Sequence, residues 1–166
     1  MNLIYTKTAL YAYANLQEVM AQIDDLVERK ALLSMSDFSP CIEQCEKIVD
    51  LIWQKDTLIE LKAFCDRVLS KLTPYDLDCL DYKYFKKKPK EYYVDFDAES
   101  RNYFRKQTRL VNLIAKSFDK MGLTDDWFEN NALKVNFMIE LLRRVKIHEE
   151  KSKQNKVLKV DFKRVA

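Results

Sequence analysis

The single glycine, Gly122, constrains this chain most. Average usage of roughly 7% would place about a dozen in 166 residues. Sheet hairpins and phosphate-cradling loops need glycine for backbone with positive φ and for close approach to a ligand. With one glycine there is no Walker loop, no dinucleotide fingerprint and no series of tight hairpins. Helices joined by short polar connections remain, so the expected fold class is all-α.

Heptad and helical spacings divide the chain into three segments. The first, residues 1–72, reads as a long helical hairpin. One helix is predicted from about Leu10 to Leu33, on the stripe Leu16, Val19, Met20, Ile23, Leu26 and Val27. Ser34–Asp37 interrupts it. Ser39 is a suitable N-cap and Pro40 suits the first helical position of a second helix, to about Leu72. That helix carries Ile42, Cys45, Val49 and Ile52, then a heptad run of Leu58, Leu61, Cys65, Val68 and Leu72. The pair forms either an antiparallel hairpin or the seam of an oligomer.

The second segment, residues 73–121, reads as a trihelical unit. Thr73-Pro74 restarts the chain, and a short helix reaches about Phe85, with Leu77, Leu80 and Tyr84 on one side. A second short helix is predicted over Pro89–Val94. A turn follows at Phe96-Asp97, then a longer helix from Ala98 to about Met121 with Phe104, Gln107, Val111, Ile114 and Phe118 inward. Gly122 closes it, as glycine does at helix C-termini. The third segment, residues 122–166, holds a helix of about Asp125–Lys153, with a candidate break at Asn130-Asn131. Trp127, Phe128, Leu133, Phe137, Leu141 and Val145 form its apolar face. The tail Val157–Val165 alternates apolar and polar residues, which reads as a short strand or an unordered end.

Charge is segregated. Residues 1–82 carry eight basic and fourteen acidic groups, residues 83–120 eleven and five, and residues 121–166 ten and seven. An acidic first half beside a middle of net +6 suggests a body and a face that meets something negative. On the third helix of the middle segment, Arg101, Asn102, Arg105, Lys106 and Arg109 avoid the apolar stripe. Arginine can fork to guanine and asparagine to adenine, so these are side chains suited to base edges. Tyr103 is a candidate for stacking or for thymine methyls. Lys86, Lys87, Lys88 and Lys90 sit at the preceding turn, where phosphates would be held. Asp95, Asp97 and Glu99 place carboxylates close to that surface and argue for an ordinary solvated face instead.

The order of elements over residues 72–115 resembles region 4 of bacterial sigma factors. It resembles still more the sigma-like phage regulators of the ArpU-like and RinA-like type. The residues that carry the resemblance are Leu72, Leu77, Leu80 and Tyr84-Phe85, then Pro89–Val94, then Ser100, Phe104, Arg105 and Leu110-Val111. The chain departs from that pattern at Tyr92-Tyr93, where a small residue is usual, and at Asp95–Asp97, where the turn usually holds glycine. The resemblance implies a helix-turn-helix that binds double-stranded DNA, in a transcriptional regulator related to phages or mobile elements, with RNA polymerase as a further partner. The alternative is a helical interaction module that pairs with itself or another protein through residues 10–72 and binds no nucleic acid.

No catalytic site can be assembled. The one histidine, His148, lies in a charged stretch, and no nucleophile and base pair with it. Asp76, Asp78 and Asp81 read as an exposed acidic helix face rather than a metal or acid–base pair. Cys41, Cys45, Cys65 and Cys79 form no C-x-x-C pair and read as free thiols of a reducing cytosol, with no metal and no cofactor expected. No signal peptide and no apolar run of about 20 residues is present, so neither a membrane nor export is expected.

Overall fold

The structure, a computed structural model, describes residues 1–34, 41–89, 92 and 101–165, with the backbone alone for 34, 41 and 153–165. It is all-α. In chain order the helices are α1 (Leu3–Tyr13), α2 (Leu16–Ser34), α3 (Cys41–Leu69), α4 (Pro74–Leu80), α5 (Arg101–Lys120), α6 (Asp125–Asn130) and α7 (Asn136–Val165). A π-helical turn, Asp81–Phe85, extends α4, and a 3-10 turn, Ala132–Lys134, joins α6 to α7.

Residues 1–33 hold two helices where one was expected. Asn15 makes the break. Its carbonyl accepts the Val19 N–H at 3.0 Å, while its own N–H bonds to Ala12 O at 2.8 Å. Asparagine followed three residues later by Glu18 is the signature of a helix start. The resulting α1 packs against α3, α5, α7 and the π turn. Ala9, Leu10 and Ala12 are fully buried, as are Thr6 and Thr8. Those threonines can be buried because each hydroxyl donates to a carbonyl four residues back, Asn2 O at 3.1 Å and Ile4 O at 2.8 Å.

One hydrophobic core draws on all three sequence segments. Leu58, Leu61 and Cys65 of α3 meet Leu10 and Leu16, Leu80 of α4, Ile114 and Phe118 of α5, Phe128 of α6 and Met138 of α7. The heptad run of α3 is therefore spent inside the same chain rather than on a seam between copies. Only the base of the α2–α3 pair is covered in this way. Toward its tip Leu26, Leu32, Leu33, Ile42, Val49 and Ile52 remain exposed, and Lys55 bridges to Asp24 at 2.6 Å.

Three caps behave as their sequence predicts. Thr73 accepts the Asp76 N–H at 3.2 Å and donates its hydroxyl to the Asp76 carboxylate at 2.8 Å. Thr124 accepts the Trp127 N–H at 3.2 Å. Gly122 takes φ 94°, and the Leu123 N–H reaches back to Phe118 O at 3.0 Å, closing α5. Of the two expectations for the tail, the short strand is corrected, since α7 runs on through Val157–Val165. Neither glycine nor proline stands between Lys146 and Lys156 to stop a helix. Among the described residues no helix is long and apolar enough to cross a membrane.

Candidate nucleic-acid interface

Nine of the ten residues singled out in the sequence are among those the structure describes. Arg101, Asn102, Arg105 and Arg109 are exposed along the uncovered face of α5. The opposite face buries Gln107, Leu110, Val111, Ile114 and Phe118. That amphipathic division is what a helix gains by packing one stripe on a core and leaving the other in water.

Two positions on α5 correct the sequence reading. Tyr103 turns inward and is 8% exposed, so it leaves the groove-facing set. Its hydroxyl accepts from Gln107 Nε2 at 3.0 Å, and its ring meets Tyr82 edge-on at 5.7 Å. Burial pushes its hydroxyl pKa up to about 12. Phe104, assigned to the inner stripe, is 58% exposed. The two aromatics have exchanged roles because α4 and the π turn offer Tyr103 a partner.

Lys106 is only half exposed. It pairs with Asp76 at 3.0 Å and lies 3.5 Å from the Tyr75 ring centroid. Arg105, Lys106 and Arg109 surround a hollow of about 450 Å³ with Asp76 at its edge. Burial pushes the Asp76 carboxyl upward. Hydrogen bonds from Thr73 and Lys106 outweigh that and hold it below the usual carboxylate range. One charge of the expected basic face is therefore spent inside the fold, and two arginines remain beside it.

The lysine run behaves differently. The π turn ends at Lys86, an exposed residue with φ 52° and ψ 36°. Asp81, expected on an exposed acidic face, is 6% exposed and accepts the backbone N–H groups of Lys87 and Lys88, both at 3.2 Å. Asp76 and Asp78 are also half covered, each by a lysine. Lys88 pairs with Asp78 at 2.6 Å and sits over the Tyr92 ring at 3.9 Å. The Asp78 hydrogen bond, with that of Tyr92, raises its pKa. Lys87 lies 5.3 Å from the Tyr13 ring centroid. Lys87 and Lys88 thus line a hollow with Asp66, Asp78 and Asp81, whereas α5 borders different ones. Lys90 lies outside the described residues, as do the turn Phe96-Asp97, Ser100 and nearly all of the Pro89–Val94 helix.

Thr108, Asn112 and Lys116 extend the exposed face of α5 beyond the residues chosen from sequence. Each lies seven residues, two helical turns, beyond Arg101, Arg105 or Arg109, and that spacing was the signal available. No group of three or more histidine, cysteine or carboxylate side chains among the described residues could hold a metal ion. Cys65 and Cys79 are buried and form no disulfide, and Cys45 is exposed.

No protein-family model, no curated protein and no solved structure matches the chain.

Proposed function

We propose that the chain is a DNA-binding regulator of sigma region 4-like type, and that α5 is the helix that meets double-stranded DNA. The observation that carries the reading is the face of α5 on which Arg101, Asn102, Arg105 and Arg109 are exposed. Asn102 and Arg105 supply base-edge chemistry, and Arg109 sits one turn further along, where the backbone passes. Lys86 adds a cation at the end of the π turn. Lys87, Lys88 and Lys106 contribute less, since carboxylates and rings of the same chain already face them. The transcriptional role, and a phage or mobile-element context, rest on the resemblance.

Amide chemical-shift mapping with a mixed-sequence duplex tests this. The expected perturbations cluster on residues 101–116 and at Lys86. A duplex that perturbs nothing, or only residues elsewhere, overturns it.

A second reading is favoured by a separate observation. The tip of the α2–α3 arm leaves Ile42 75% and Val49 64% exposed. A second copy presenting the same arm would cover these side chains in return, as a two-fold interface does. Light scattering of the wild type and of Ile42→Lys with Val49→Lys decides it. A dimer that the double variant converts to a monomer supports the arm as an oligomerisation element, and a monomeric wild type excludes it.

A further inference from the structure

Helix α3 carries a second heptad row besides the one it buries. Ile42, Cys45, Val49, Ile52 and Ile59 are all exposed. They follow one another at three and four residues, with Asp56 filling the place between Ile52 and Ile59. The row therefore keeps to one face of the helix for about 26 Å. α2 takes the neighbouring face, where Lys55 reaches Asp24 at 2.6 Å and Ile48 and Leu51 are half-buried. The row ends where α3 enters the body, since Leu61, Phe64 and Cys65 beyond it are buried. A continuous apolar row of this length on the outside of a folded chain is a contact surface.

The row is symmetric in its own sequence. Ile42 and Ile59, Cys45 and Asp56, and Val49 and Ile52 lie at equal distances on either side of the midpoint between Asp50 and Leu51. Two copies laid antiparallel over that midpoint set Ile42 on Ile59 and Val49 on Ile52, each pair occurring twice. The Asp56 carboxylate then falls beside Cys45 rather than beside another charge. On the flanks Glu46 falls beside Trp53 and Lys55 beside Ile48, so no like charges meet. A parallel pair in register would instead set Asp56 against Asp56, a juxtaposition that disfavours it. The antiparallel pair also fits the length of the arm. The tip at Ile42 reaches the level of Ile59, just short of the body of the other copy.

We propose that two copies of the chain pair through this row, α3 against α3 and antiparallel, about a two-fold axis at the level of Asp50 and Leu51. This rests on the second reading above, in which the arm meets a second copy, and adds which helix meets which, in what direction and in what register. It does not depend on DNA binding by α5. Cys45 is covered in such a dimer, so a thiol reagent should label it more slowly as the protein concentration rises.

Light scattering of the wild type, followed by site-directed cross-linking of the full chain, tests it. The cross-linking background carries Cys41→Ala and Cys45→Ala. One protein adds Ile42→Cys and the other Ile59→Cys, and because cysteine is itself small and apolar both keep the row. In the antiparallel dimer position 42 lies about 25 Å from position 42 of the other copy, but within the roughly 8–10 Å between packed helices of its position 59. A short bismaleimide bridges only the second distance. Cys65 and Cys79 are buried and are common to every sample. The expected result is a dimer in light scattering and cross-linked dimer in an equimolar mixture at least fivefold above that of either protein alone. A dimer in which each protein cross-links to itself as well as the mixture does overturns the antiparallel row and leaves the arm as the interface. So does a dimer that cross-links in none of the samples. A monomeric wild type overturns both.

Discussion

Replacing Lys86 separates backbone strain from charge. Lys86 is the one residue other than glycine with positive φ among the described residues. A side chain in that left-handed conformation costs about 1–2 kcal/mol, which glycine does not incur. Glycine in turn gives the unfolded chain extra freedom, worth about 0.4–1 kcal/mol against the folded state. Lys86→Gly should therefore stabilise the protein by about 1 kcal/mol relative to Lys86→Ala. For a chain of this size that is a rise in Tm of roughly 2–4 °C. Both variants lose the same cation, so the comparison cancels charge. The assay is paired thermal and urea unfolding of the two variants. Lys86→Ala unfolding at the same or a higher midpoint than Lys86→Gly would refute the left-handed turn. In DNA binding the two variants should behave alike, each lowering the salt slope by about 0.9 if Lys86 meets one phosphate.

Asp81→Ala removes the acceptor of two backbone N–H groups, at Lys87 and Lys88, and should cost about 2 kcal/mol in urea unfolding. A cost near zero would show that the turn does not depend on it. Asp66, Asp76 and Glu149 are held below the usual carboxylate range. In each, burial pushes the pKa up, but hydrogen bonds and charge from Lys62 and Tyr13, from Thr73 and Lys106, and from Lys7 outweigh it. A depressed folded pKa gives stability that is present above the ordinary pKa of about 4 and is lost as pH falls through the folded value. Urea midpoints should therefore fall as pH drops from about 5 to 3, and less steeply in Asp76→Asn; a flat profile would contradict these partnerships. With Cys41 replaced by serine, a thiol reagent should label Cys45 in the native protein. Cys65, buried with its pKa pushed up to about 12, and Cys79 should label only on unfolding. Native labelling of Cys65 at the rate of Cys45 would show that the α3 core is open.

Much of the fold is legible in the sequence because its signals are local. Pro74 after Thr73, Thr124 before an acidic turn, and Gly122 after a long stripe each mark a helix end within a few residues. Signals that depend on distant partners are not legible. Helical period alone cannot choose between Tyr103 and Phe104 at the edge of a stripe; the packing of Tyr82 chooses. Ile42, Val49 and Ile52 have the same spacing as Leu58 and Leu61, but only the latter reach the body. Along the sequence the charge excess of the middle segment reads as one face. In the structure Asp76 and Asp78, ten to thirty residues from their partners, take up Lys106 and Lys88. A charge count along the chain cannot see that pairing, whereas the arginines of α5 were identifiable from their place off the apolar stripe.

Fluorescence anisotropy of a labelled mixed-sequence duplex, titrated at two salt concentrations, tests the central claim most directly. The proteins to compare are the wild type and Arg105→Glu with Arg109→Glu, two exposed positions whose change leaves the core intact. The account predicts binding by the wild type that weakens with a log–log salt slope of about −0.9 per phosphate met, and loss of that binding in the double variant. A wild type that does not bind at low salt, or a double variant that binds as the wild type does, would contradict it.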